Sequence, residues 1–489
     1  MSIPITGVLL IPLGLVLAVL PLRFCLAGLM AFAMMSPAAV INVGSNGLQP
    51  GYYLALLLIA RTAVQIMTGG YTLNSFVISR MVPIFWFVAT VFVVLFVALC
   101  LFQGGVRVLP GSSGFKSGMT HPFHLARENF TQLFYLIVNV FLLYAMAHTA
   151  ARRPSEDFPK AWDQAMVCGL IFAVAVCFWQ FAGLYGAVPF PSDFFYSNAG
   201  YSRADSQSMV GLFRINGPFD EPSTLGYTFT GFLLYAWGRY RQWPNGATVA
   251  MIAACILCML LSTSTTAFLG IFLFFCVAAH DTATGKTRLM PRKGQLTSGY
   301  IMAVAAIVVA AFFCLVVVAL NWAAINIILH MTLFNKTGTT SFKERSYADY
   351  LALVIFAQTK GIGIGLGSHK ANSLLLTLLS NTGVIGVTLF GSSLWALLRW
   401  RLPTPASFRP GGISVRPFQL GLIGLLLSHL FSNPNLSTMT LWLSMGGLLA
   451  LQAWERQRQA AAAHTTESGR RDTCAAARDA SATPAYVPV

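Results

Sequence analysis

Three short polar stretches hold the residue types that could do chemistry in this 489-residue chain, and each abuts an apolar run. The first, GLFRINGPFDEPSTLGY, places Arg214, Asn216 and Glu221 just ahead of such a run. An arginine offers a planar, permanently charged fork that matches phosphate geometry. Glu221 is either the partner of Arg214 or a base for a hydroxyl group; an ion pair at a helix N-terminus, favoured by the helix dipole, accounts for the same spacing. The second stretch, LSTSTTA at 261–267, is a turn of hydroxyls that would bind a polar ligand or cap the next helix. In the third, Lys343, Glu344, Arg345 and Asp349 lie on an amphipathic segment, where Arg345 and Asp349 are four apart and would pair on one helix face. Gly361, Gly363, Gly365 and Gly367 follow, without the βαβ context or spacing of a dinucleotide site. They are expected to turn the backbone at a membrane edge and let it approach a ligand. His369, Asn372 and Ser373 then lead into an apolar run, His369 being either an acid/base group or an interfacial side chain without chemistry. Arg61 stands apart, inside an apolar run with Gln65 one turn on. Its cost in a bilayer implies a polar cavity or partner, unless the span boundary shifts it to the interface.

The elements that must position these groups are membrane helices. Hydrophobic residues make up 56% of the chain, charged residues only 9%, and mean hydropathy is +0.68, which excludes an ordinary soluble globular protein. Apolar runs long enough to cross a bilayer recur from 5–20 and 24–43, through 300–320, to 438–453. The expected fold is all-α, a polytopic transmembrane bundle of about 12–13 helices, because strand-type alternation is absent. Residues 1–454 form the membrane domain; the Ala-, Ser- and Arg-rich stretch 455–489 is expected to be a disordered cytoplasmic tail.

The net charge of +16 sits in loops, so it reports orientation and not nucleic-acid binding. Arg152, Lys160, Arg239, Arg241, Arg399 and Arg416 fall on the side expected to be cytoplasmic. Three long loops, about 103–130, 187–222 and 321–371, then face outward, where a site would be built. The nine cysteines suggest no disulfide framework, and Cys255 and Cys258 form a lone CxxC inside a span. The N-terminus reads as a first span, not a cleaved signal. No cofactor and no metal cluster are expected.

The third stretch, with Arg345, Gly361, Gly363, Gly365, Gly367, Asn372, Ser373, Asn381, Thr382, Gly383 and Gly386, resembles the O-antigen polymerase and ligase family of integral membrane glycosyltransferases. The block Arg214, Asn216, Gly217, Phe219, Glu221, Pro222 and Ser223 resembles the same family, as does LSTSTTA. The resemblance implies a metal-independent bacterial inner-membrane enzyme with a periplasmic site. Its donor would be a polyprenyl-pyrophosphate-linked oligosaccharide and its acceptor a glycan or lipid, with a chain-length regulator as a further partner. Arg214 and Arg345 would hold the pyrophosphate, aided by Arg61, Asn216, Asn372 and Ser373. Glu221 or His369 would activate the acceptor hydroxyl. The ligases' histidine falls at Asn372 here, with His369 three residues earlier, so polymerase comes first and ligase second. A transporter or flippase of a lipid-linked solute is the alternative from another class, and a non-catalytic assembly scaffold is a third.

Overall fold

The structure, a computed structural model, describes residues 1–44, 46–69, 74–109, 119–152, 157–186, 188–201, 208–209, 212–284, 326, 338–399, 414–432 and 435–481. The span expected over 300–320 lies outside the described residues. Among those described, the apolar runs become fourteen helices. Six are long and apolar enough to cross a membrane: α3 (Pro50–Thr68), α4 (Ser75–Leu101), α5 (Arg127–Arg152), α6 (Phe158–Leu184), α10 (Thr265–Ala283) and α12 (Leu374–Leu398). Shorter apolar helices are α1 (Ile5–Val19), α2 (Leu22–Met34) and α9 (Gly246–Leu261). The remainder are α7 (Ser192–Phe195), α8 (Pro222–Gln242), α11 (Thr340–Gln358), α13 (Arg416–Ser432) and α14 (Met439–Ser481). Together they form a membrane-embedded helical bundle.

The loops add what the residue pattern did not predict, three two-stranded antiparallel hairpins. They are β1 (Ile41–Val43) with β2 (Asn46–Leu48), β3 (Arg107–Val108) with β4 (His121–Pro122), and β5 (Ser208–Met209) with β6 (Leu212–Phe213). The expected span 24–43 is therefore shorter: α2 stops at Met34, since Pro37 cannot continue a helix, and the chain turns into β1. Ser2 bridges Asn42, whose side chain donates to the Ser197 carbonyl at 2.9 Å. The start of α1 and the end of α2 thus share one face of the bundle with the loop before α8, making α1 and α2 a tight hairpin. That face, where α8 begins and α9 ends, is called the site face below.

At the centre α8 is buried along almost its whole length. It packs on α13 through small residues: a Cβ on Gly424 would meet the Thr230 carbonyl at 2.7 Å and the Gly231 Cα at 3.1 Å. Such close backbone approach is the usual way helices associate in lipid, where apolar burial alone gives little drive. At the end opposite the site face, Arg239 pairs with Asp163 of α6 (3.3 Å) and Arg241 with Asp281 of α10 (2.9 Å). These arginines were counted from sequence only as orientation charges. α14 runs on through Ser481, so the helix does not end where the composition shifts near Trp454. Within the stretch expected to be disordered, residues 455–481 carry helical backbone, as their Ala, Arg, Gln and Glu residues favour.

Candidate functional site

α12 is not a continuous helix. Gly383 sits at φ 66°, ψ −170°, breaking it about nine residues, or roughly 14 Å, below its start. A break inside lipid exposes backbone groups that must find partners. The glycine-rich segment supplies them: Ile364 N–H donates to the Ser380 carbonyl (3.0 Å), Gly365 N–H to the Asn381 carbonyl (2.8 Å), and Val384 N–H to the Gly361 carbonyl (3.0 Å). The described part of the expected outer loop, from residue 338 on, is therefore α11, packed near the end of α4, followed by an extended glycine-rich segment that seals α12. Apolar contacts of Leu351, Ile355 and Ile364 with Ala98, Val108 and Phe123 hold it there. Gly361, Gly363, Gly365 and Gly367 all have φ between 80° and 92°. A Cβ at Gly363 would meet the Asn381 carbonyl at 2.8 Å, and one at Gly367 the Glu128 carbonyl at 2.7 Å. At Gly363 and Gly367 the space a side chain would need is taken by protein backbone.

Asn381, buried, locks the arrangement. Its Oδ1 accepts from Ser368 N–H and His369 N–H, both at 3.1 Å, while its Nδ2 donates to the carbonyls of His369 (2.8 Å) and Thr377 (2.7 Å). Asn129 of α5 does the same from the other side, donating to the Leu366 carbonyl and the Ser368 hydroxyl, both at 2.8 Å. Neither asparagine was given a role from sequence.

The knot presents charge at its upper end. Arg345 is half-buried on α11 and has no hydrogen-bond or ion-pair partner among the described residues. The pairing expected with Asp349 does not form, because the Asp349 carboxylate accepts the Asn372 N–H (2.7 Å) and Ser373 N–H (3.3 Å) at the start of α12. Arg214 follows β6, and its Nε donates to the Ser262 carbonyl at 3.2 Å. The hydroxyl turn thus positions Arg214 through its backbone. Ser264 holds the N-cap position of α10 without a side-chain capping bond, so the capping expected of these hydroxyls is absent there. Next to it Thr263 takes a left-handed backbone (φ 45°), with its hydroxyl buried and unpartnered, a strained position for a β-branched residue.

Arg345 lies near enough to Arg214 to act on its charge. Burial lowers the Arg214 guanidinium from its ordinary value, Glu221 counters this and Arg345 adds to it. Lys370, which sequence reasoning passed over between His369 and Asn372, completes the group. Burial lowers its ammonium; Glu221 and Asp220 raise it, and Arg345 lowers it again. Three cations therefore converge, two of them carrying the cost of lost water. Facing them are Glu221, exposed and accepting the Ser223 hydroxyl at 2.9 Å, and Asp220, whose Oδ1 is buried without a partner. Burial and then Glu221 push the Asp220 carboxyl above its usual range. Asp220 was also missed; only its place beside Glu221 could have flagged it.

The other residues expected at the site hold the fold. His369 is buried: its Nδ1 accepts Leu109 N–H at 3.2 Å, which leaves Nε2 to donate to the Ala348 carbonyl at 3.1 Å. Both ring nitrogens are used, and burial lowers its pKa to about 4. Its two hydrogen bonds brace the glycine-rich segment against α11 and the end of β3. Asn216, fully buried, donates to the Phe219 carbonyl (2.6 Å) and accepts from Gln180 (2.7 Å), bracing the loop before α8. Asn372 donates to the Phe431 carbonyl at the end of α13 (2.8 Å), and Ser373 is the N-cap of α12. Arg61 lies on α3. Its Nη1 donates to the carbonyls of Ala18 and Leu20, both at 2.8 Å, closing the C-terminus of α1 far from the site face. Among the described residues no group of His, Cys, Asp and Glu fits a metal ion. The chain matches no protein-family profile, no curated protein and no solved structure.

Proposed function

We propose that the protein is an integral membrane glycosyltransferase that polymerises polyprenyl-pyrophosphate-linked oligosaccharide repeats on the periplasmic face of a bacterial inner membrane. The observation that carries the reading is the convergence of Arg214, Arg345 and Lys370 beside the carboxylates of Asp220 and Glu221. A lipid-linked diphosphate arrives at the membrane surface with its charge at head-group level, and clustered cations there suit it. In the proposed step the acceptor hydroxyl oxygen bonds to the anomeric carbon of the donor, and the bond from that carbon to the pyrophosphate oxygen breaks. Polyprenyl pyrophosphate leaves with the electron pair, its growing charge met by the three cations. The hydroxyl proton passes to a carboxylate; the raised Asp220 carboxyl suits it better as a base than an ordinary aspartate.

Ligase-type transfer through His369 is less well supported, because both its ring nitrogens are committed. Among the described residues the broken helix α12 is a feature that favours a transporter, since solute sites there use freed backbone groups. Here those groups are bonded to the glycine-rich segment, which leaves none of the Ser380, Asn381 and Val384 groups to hold a solute. The test is purified protein with a polyprenyl-pyrophosphate-linked repeat oligosaccharide and no other acceptor, run on a gel. A product ladder lost in Arg214→Ala and Arg345→Ala supports the reading. A ladder of full length in both, at normal protein levels, overturns it.

A further inference from the structure

At the end of the bundle opposite the cation site, a groove of about 1260 Å³ opens between α6 and α9. Its walls are one face of each helix, with Val167, Ile171 and Ala175 on α6 and Ala250 and Ala254 on α9. Polar side chains gather at its outer end, where Asp157, Lys160, Asp163, Gln164, Arg239 and Trp243 stand. From Gln164 to Ala175 the helix rises roughly 16 Å, about half of a ~30 Å hydrocarbon core. Above that the helices close: Cys177 of α6 and Cys255 and Cys258 of α9 are fully buried, with Cys177 and Cys258 in hydrogen-bonding contact. The groove is one leaflet deep, apolar inside and polar at its mouth.

The charges at the mouth decide what head group it takes. Asp157 accepts the Lys160 backbone N–H (3.2 Å), capping α6, and Asp163 is held by the Tyr235 hydroxyl and Arg239. Both acids are committed within the protein. Lys160 is exposed, and its ammonium has no partner among the described residues. Trp243 sits where an aromatic ring anchors at a membrane interface. A wall of alanines is often covered by another helix, but a spanning helix needs the full core thickness and this groove shuts halfway.

We propose that the groove binds one anionic glycerophospholipid of the adjoining leaflet, with acyl chains between α6 and α9 and the phosphate against Lys160. The test uses full-length protein in nanodiscs holding equal amounts of phosphatidylglycerol and phosphatidylcholine, with lipids retained after extraction identified by native mass spectrometry. The wild type is expected to keep phosphatidylglycerol over phosphatidylcholine by about fivefold, the effect of one lysine at a membrane surface. Lys160→Gln, an exposed change that leaves the core intact, removes the preference, and Ala254→Phe lowers retention of both lipids. Equal retention by the wild type, an unchanged preference in Lys160→Gln, or no retained lipid would each overturn the proposal. Failure here leaves the reading of the cation site untouched, since the two lie at opposite ends of the bundle.

Discussion

Arg345→Gln is expected to make the folded protein more stable while nearly abolishing turnover. Arg345 faces two like charges, Arg214 and Lys370, and one opposite charge that registers its field, Asp349. The Asp349 carboxylate is already bonded to two backbone N–H groups at the start of α12, so losing Arg345 does not orphan it. A charge pair near a protein surface is worth about 1 kcal/mol once solvent screening of a half-exposed side chain is allowed for. Two repulsions removed, against the attraction of Asp349 and the solvent-screened one of exposed Glu221, leave a gain of at most about 1 kcal/mol, or up to about 2 °C in Tm for a chain of this size. Under the proposed mechanism the same change removes a charge from the leaving group and costs about 10²–10³-fold in rate. The assay is thermal unfolding in one detergent at low and high salt, alongside initial rates on the lipid-linked oligosaccharide. Salt should narrow the Tm gap, because screening weakens the repulsion that the substitution relieves. Arg61→Gln serves as a control: it loses the α1 cap and some stability but keeps its rate. A Tm that falls in Arg345→Gln, or a rate that holds, would refute the reasoning.

Two further outcomes follow from the knot beneath the cations. His369 has a folded-state pKa lowered from 6.5 to about 4, so the unfolded chain binds more protons between those values. Its contribution is present above pH 6.5 and lost as pH falls towards 4, about 3 kcal/mol in all; denaturant titrations at pH 7 and pH 4.5 should show an acid loss in the wild type that shrinks in His369→Gln. The raised Asp220 and Asp349 carboxyls act with the opposite sign, losing stability as pH climbs above 3.8, and are common to both proteins. Asn381→Ala leaves the buried His369 N–H and carbonyl without their partner and takes one of two partners from the Ser368 N–H and the Thr377 carbonyl. It should cost about 3 kcal/mol or more, read as a lowered denaturation midpoint; a midpoint within error of the wild type would show that the helix break is sealed some other way.

The helical bundle was legible because apolar run length is fixed by bilayer thickness, whereas Arg214, Arg345 and Glu221 were singled out by the family resemblance and by the fit of an arginine fork to phosphate. What escaped were roles set by backbone atoms far along the chain. His369 is defined by Leu109 N–H and the Ala348 carbonyl, Asp349 by the start of α12, and Arg61 by the end of α1. None of these partners has a side chain that a sequence pattern could reveal. Asn381 stood in the family resemblance without a role of its own, yet its amide closes a gap created by Gly383 two residues on. Lys370 and Asp220 stood beside residues already chosen, and only the third dimension gave them a common focus.

The stitching of α12 to the glycine-rich segment divides the cation site between two mechanical units. Arg345 and Lys370 ride on the stitched piece, whereas Arg214, Asp220 and Glu221 ride on the loop held by α8 and the α9–α10 turn. The gauge between them is set partly by α13, which packs along α8 and takes the Asn372 amide at the Phe431 carbonyl. A change of side-chain bulk on α13, well away from any charge, would therefore widen or narrow the cation spacing as a shim sets the gap of a vice.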